Sequence, residues 1–396
     1  MNGLHHHFTL GRMVAMATKA IRRVSCLRLA LMLAAGMVAW AVPSLADGFS
    51  QAAPLTHARF AHTATLLTSG KVLVAAGATA TDILNSAELY DPATNHWVDT
   101  GSLTAPRLRH TATLLPSGTV LVTGGIYGLT TLASAELYDP ATHTWSSAGS
   151  MSDARVGHTA TLLPSGLVLV TGGSNGTSIV RTSDLYDPIH NTWSAGADQG
   201  NGRAYASATL MSSGSAGVLL MGGEDASQQP RGDGLFYELS IDNWVGPVGA
   251  FTVARKFHTA TLLVSGKVLA AAGYDSSALA SAELYDPATS VWSTAGSLAT
   301  ARWSHTATLL PSGKVLVVAG VDPADNALTS AELYDPVANN WTTTGSLATA
   351  RAQHTATLLP SGKVLVTGGQ GAAPNFADLA SSELYALDPI FSNGFD

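Results

Sequence analysis

An arginine three residues ahead of a histidine could move protons or hold an anion, and this sequence presents the pair repeatedly. The segment RWSHTATLLPSGKVLVVAG, from Arg302 to Gly320, is one copy. The arginine fills the same place seven times, as Arg59, Arg107, Arg155, Arg203, Arg255, Arg302 and Arg351. The histidine follows as His62, His110, His158, His258, His305 and His354, with Ala206 in its slot in the fourth copy. Acids recur too: Glu88, Glu136, Asp184, Glu283, Glu332 and Glu383 sit in SAELY-like segments, and Leu235 replaces the acid in the fourth. A reaction happens at one place and needs asymmetry, whereas a trio present in nearly every repeat answers a need that every repeat shares. No catalytic residue is assigned from it. Alternation in SAELY puts Glu and Tyr on the face opposite Ala and Leu, and a Glu packed between layers must find a donor. Joint loss of histidine and acid in the fourth copy leads us to expect that the two interact, directly or through a shared neighbour. The arginine, retained there, is expected to bond backbone carbonyls and to lend positive potential to one mouth of a channel.

The elements that would position these residues follow from the spacing. Successive HTATLL or ASATLM segments lie 48, 48, 48, 52, 47 and 49 residues apart, a period that signals a repeat architecture. Each unit reads as four short strands. HTATLL alternates, Pro-Ser-Gly makes a tight turn, KVLVTGG is a β-branched run ending in glycines, and SAELYDP ends in an Asp-Pro turn. The fourth strand carries Trp97, Trp145, Trp193, Trp244, Trp292 or Trp341, seven residues past the Tyr. Four strands per unit around a ring form a propeller blade, so the fold class is all-β, a seven-bladed propeller with four antiparallel strands per blade. The last unit has no Trp. Phe49 lies ten residues before Arg59, the Trp-to-Arg spacing of five other copies. An N-terminal outer strand is therefore expected to complete the last blade and protect its edge. The alternative, Phe391 or Phe395 of the C-terminal tail in that slot, needs an adjusted spacing.

With these motifs the chain resembles the kelch-repeat family from Phe49 to Tyr385. The carrying residues are the double glycines (Gly124-Gly125, Gly172-Gly173, Gly222-Gly223, Gly368-Gly369), the Tyr-Asp-Pro turn and the Trp. Ala76, Ala272 and Ala319 replace the first glycine in copies one, five and six. The resemblance implies a kelch-type propeller and brings in enzymes such as galactose oxidase and a periplasmic sialic-acid epimerase. The oxidase needs copper and a Cys–Tyr crosslink, and the single cysteine, Cys26, lies in the leader described below. That activity is excluded, and no cofactor or metal is expected. Asp322 and Asp325 lack a calcium-loop pattern, and RGD at Arg231–Asp233 is read as chance.

Function should then sit where the blades differ. The residues between arginine and histidine and the loops after the double glycine meet on one face of such a fold. Candidate ligand-binding residues there are Arg109, Tyr205, Lys256, Phe257, Trp303 and Gln353 from the first set. The second set adds Tyr127, Glu224, Asp225, Tyr274 and Asp275. A crown of Tyr205, Phe257, Trp303 and Tyr274 among charged groups suits a sugar or a peptide.

Bulk properties narrow the class. Charged residues make up 12% of the 396 and the net charge is −7, without the clustered Lys and Arg that nucleic acid requires. Residues 1–46 read as a cleaved signal peptide: Lys19, Arg22 and Arg23, an apolar run from Leu27, then PSLA with Ser44 and Ala46 at the −3 and −1 positions. Residues 47–387 would form the single propeller and 388–396 a tail. The expectation is an exported monomer, secreted, periplasmic or at the cell surface, without a transmembrane anchor after cleavage. It would bind carbohydrate or protein, with an epimerase-like enzyme on an anionic sugar, or an adhesion protein, as alternatives.

Overall fold

Seven copies of a four-strand pattern produce seven four-stranded antiparallel sheets. The computed structural model describes residues 47–211, 216–373 and 376–387, and the expected leader and tail lie outside the described residues. In blade six the strands are Thr306–Leu309, Val315–Val318, Ala331–Asp335 and Asn340–Thr343, hydrogen-bonded in that order from the inner edge outward. The second strands are the apolar VLV-type runs and are buried along their whole length. Burial on both faces explains why they read as continuous rather than alternating. Among the described residues the core falls into seven apolar clusters, each shared by two adjacent blades.

Blade seven is completed by the strand Gly48–Ala52, which pairs antiparallel with Ser382–Ala386. Phe49 sits opposite Tyr385 with ring centroids 5.0 Å apart. The Tyr–Trp pairs of the other blades lie at 5.0–5.2 Å. Phe49 therefore does the packing of the missing Trp, as its spacing from Arg59 predicts. The inner strands of blades one and seven are neighbours, and the ring closes.

The second glycine of each pair joins the blades. Its N–H donates to the arginine carbonyl of the next blade, as from Gly320 to Arg351 at 3.0 Å and from Gly369 back to Arg59 at 2.8 Å. At Gly320, φ is +99° and a Cβ would lie 2.6 Å from the Trp303 carbonyl oxygen. The first position sits nearer the left-handed helical well, with Ala76, Ala272 and Ala319 at φ 54–56°. An L-residue tolerates that well at about 1–2 kcal/mol, so alanine occurs at the first position and not at the second.

Candidate functional site

The repeated Arg, Glu and His are buried, but not in the expected partnership. Arg302 donates through Nη1 to the Ala319 and Ser330 carbonyls, both at 2.9 Å, and through Nη2 to Glu332 Oε1 at 2.7 Å. The carboxylate also accepts from the backbone N–H groups of Ala299 and Thr300 at 2.7 and 3.2 Å. The expected carbonyl bonds are present. The acid's partner is the arginine, not the histidine, because a buried carboxylate needs a full opposite charge and a neutral imidazole supplies none. The same pair recurs as Arg59–Glu88, Arg107–Glu136, Arg155–Asp184, Arg255–Glu283 and Arg351–Glu383, at 2.6–2.8 Å. The arginine side chains are fully buried, so they do not give a channel mouth the expected positive potential.

Each histidine bonds across to the preceding blade. His305 Nε2 lies 2.9 Å from Thr259 Oγ1, and His110 Nε2 2.8 Å from Thr63 Oγ1. Burial, with the nearby Arg302 charge adding to it, pushes His305 down to about 3. The ring stays neutral at physiological pH and serves as inter-blade packing.

Blade four shows why the joint loss misled. Its acid has moved two residues back, to Asp233 just before the strand Gly234–Glu238. Asp233 Oδ2 accepts from Arg203 Nη2 at 3.1 Å, and Asp233 also takes two bonds from Arg231 at 2.9 and 2.8 Å. Burial pulls Arg203 down to about 10, with the Asp233 charge opposing. The RGD tripeptide is thus part of the blade's internal neutralisation. The absent histidine has its own substitute: Gln199 Nε2 donates to Thr171 Oγ1, as His158 Nε2 bonds Thr123 Oγ1 in the blade before. Thr159 Oγ1, whose counterparts bond a histidine, is left without a partner.

The variable residues gather on the face where the inner strands begin. The residue just before each histidine slot has positive φ: Ala61, Arg109, Gly157, Tyr205, Phe257, Ser304 and Gln353, at 50–66°. Backbone bonds run between neighbours in this set, as from Arg109 N to Ala61 O at 3.0 Å and from Ala61 N to Gln353 O at 3.0 Å. The residue just after each arginine bridges to the one following the second glycine, as Lys256 to Tyr274 and Trp303 to Val321. The two sets of loops therefore meet, as expected.

Blades four to six bring the crown together. Ring centroids are 4.5 Å apart for Tyr205–Phe257, 5.5 Å for Phe257–Trp303 and 5.6 Å for Tyr274–Trp303. Tyr205 reaches this run because blade three has Gly157 beneath it, where a Cβ would lie 2.6 Å from the Tyr205 ring. Lys256 Nζ lies 5.8 and 5.9 Å from the Phe257 and Tyr274 ring centroids and donates to Glu224 Oε2 at 2.6 Å.

Of the other candidates, Gln353 lines a cleft together with Trp303, and the rest make no ring contact with the run among the described residues. Arg109 is exposed, and Tyr127 projects from a hairpin of blade two, Ile126–Tyr127 with Thr130–Thr131, at 51% exposure. Asp225 accepts from the Ser227 and Gln229 N–H groups and holds its own loop, and Asp322 does the same through Ala324 and Asn326. Asp275 closes a tight turn onto Ser277. Sequence reasoning missed Asp233, Gln199 and the glycine under Tyr205. Asp233 had a signal, since it is the acid nearest the empty slot.

One further cluster, His57, Glu88 and Asp99, brings potential metal-ligand atoms within 4.8 Å of one another. Glu88 Oε1 already accepts from Arg59 Nη2 at 2.7 Å, and that guanidinium repels a cation.

Comparison with known proteins agrees with the geometry. The family model described as the kelch motif matches residues 107–152 and 255–299, in blades two and five. No curated protein matches the chain. Among solved structures, a fungal alcohol oxidase of the AA5 family in complex with copper is 17% identical, with a TM-score of 0.69. The match covers 86% of this chain and 76% of that one. A protein named YjhT is 15% identical over 74% of this chain and 100% of its own, with a TM-score of 0.59. At these identities the likeness is one of fold.

Proposed function

We propose that this chain, a seven-bladed β-propeller in which blades two and five match the kelch motif, is an exported binding module whose loop face takes a carbohydrate. The observation that carries the reading is the contiguous run Tyr205–Phe257–Trp303–Tyr274 on one sector of that face. Aromatic faces give apolar area with specific geometry, and the C–H faces of sugar rings match them. Glu224 and Lys256 neutralise each other beside the run, which favours holding a ligand over moving protons on it. Export rests on the leader-like residues 1–46.

The test is a glycan array and a protein-interaction screen with wild type and the Tyr205→Ala/Lys256→Ala/Trp303→Ala triple variant. The expected result is a glycan signal that the triple variant loses by about tenfold or more, or roughly 1.4 kcal/mol. An unchanged signal in the variant, or binding to proteins alone, would overturn the reading. Turnover of sialic acids or uronides, read as new anomeric NMR signals, would replace binding by catalysis.

A further inference from the structure

The loop face is notched between blades six and seven, for a reason visible in side-chain size. The residue after the arginine is Trp303 in blade six, Ala352 in blade seven and Phe60 in blade one. Beside the short Ala352 lies a cleft of about 160 Å³. Trp303 and Phe376 give it aromatic surface, and Gln353, Gln370 and Asp325 give it polar groups. The volume is about five water volumes and lies below the roughly 300 Å³ at which drug-sized sites begin. It fits one small saturated ring.

The lining selects the chemistry of that ring. Two side-chain amides both donate and accept, and a carboxylate accepts, a combination matched to several hydroxyls on one ring. Among the described residues the lining includes no Lys, Arg or His, so a carboxylated sugar would meet Asp325 with no described cation to offset the repulsion. Trp303 belongs both to this cleft and to the aromatic run, so the two surfaces are continuous.

We propose that the cleft between blades six and seven holds the terminal residue of a neutral glycan, a single hexopyranose, with the following residues lying over Trp303, Phe257 and Tyr205. The proposal rests on the carbohydrate reading above and adds the place, the number of rings and the charge class.

The experiment measures binding of cellotriose, maltotriose and β-1,4-mannotriose, with trigalacturonate as the anionic comparison. Calorimetry gives the affinities, and saturation-transfer NMR shows which ring touches the protein. Ala352→Leu fills the cleft, and Phe376→Ala removes a wall at a position 46% exposed, so one variant avoids the core. The expected result is binding of a neutral trisaccharide, strongest saturation of one terminal ring, and about tenfold or greater weakening in Ala352→Leu. Phe376→Ala should weaken binding several-fold. Wild-type affinity in both variants, with binding still lost in Tyr205→Ala, overturns the cleft and leaves the aromatic run standing. Tighter binding of trigalacturonate than of every neutral trisaccharide overturns the charge class. No binding of any trisaccharide overturns both proposals.

Discussion

Mild acid should unfold this protein, and six histidines set the window. His62, His158, His258 and His305 are pushed down to about 3 by burial, and His110 and His354 well below the ordinary 6.5. The nearby arginine charge acts in the same direction. In the unfolded chain these rings titrate near 6.5. The unfolded state therefore binds more protons, and stability is full above about pH 6.5 and falls as the pH drops toward the folded values. At pH 5.5, about one unit below the unfolded value, the unfolded form of each ring gains roughly 1 kcal/mol relative to neutral pH. Six such rings give several kcal/mol, comparable to the whole stability of an ordinary domain. Urea denaturation between pH 7.5 and 5.5 measures this directly, because the slope of stability against pH counts protons taken up on unfolding. That slope should approach six at the acid end, and His305→Gln should lower it by about one. An unchanged stability across this range would refute the claim that the repeated histidine is buried and neutral.

Asp233→Asn should leave the buried Arg203 uncompensated and cost about 3–5 kcal/mol, read by denaturation midpoint; adding Leu235→Glu should recover part of it by restoring the usual pair. Ala206→His places an imidazole where Gln199 lies and should destabilise alone, whereas Gln199→Leu/Ala206→His should rebuild the pattern of the other blades. A double-mutant cycle should show a favourable coupling of about 0.5–3 kcal/mol between these two sites, and additive effects would count against the substitution of one by the other. Gly157→Ala adds a methyl group 2.6 Å from the Tyr205 ring and should weaken glycan binding by displacing that ring, checked by calorimetry alongside a thermal melt.

Much of the architecture was legible because a repeat states each rule several times. The Trp-to-Arg spacing identified Phe49 as the stand-in for a missing Trp, and the closing strand Gly48–Ala52 forms as that spacing requires. The crown residues were readable for the opposite reason. Tyr205, Phe257 and Trp303 occupy slots of constant offset with inconstant identity, which marks positions freed from the common packing. The partnership inside the repeat was misread because covariation in one blade cannot distinguish a lost acid from a shifted one. Asp233, just before the strand Gly234–Glu238, keeps the charge two residues from the vacant slot, and only the fold shows that Arg203 reaches it.

By itself the sequence determined the period, the strands within it and the spacing that fits Phe49 to the closing strand. These follow from local alternation, turn chemistry and spacing, which act over a few residues. Tertiary structure alone decided which side chains meet. Arg302 bonds Glu332 thirty residues away, His305 bonds the Thr259 of another blade, and Trp303 shares a cleft with Phe376 because Ala352 is small. Such meetings depend on how neighbouring blades pack, since charge neutralisation, burial and free volume arise between repeats and not within one.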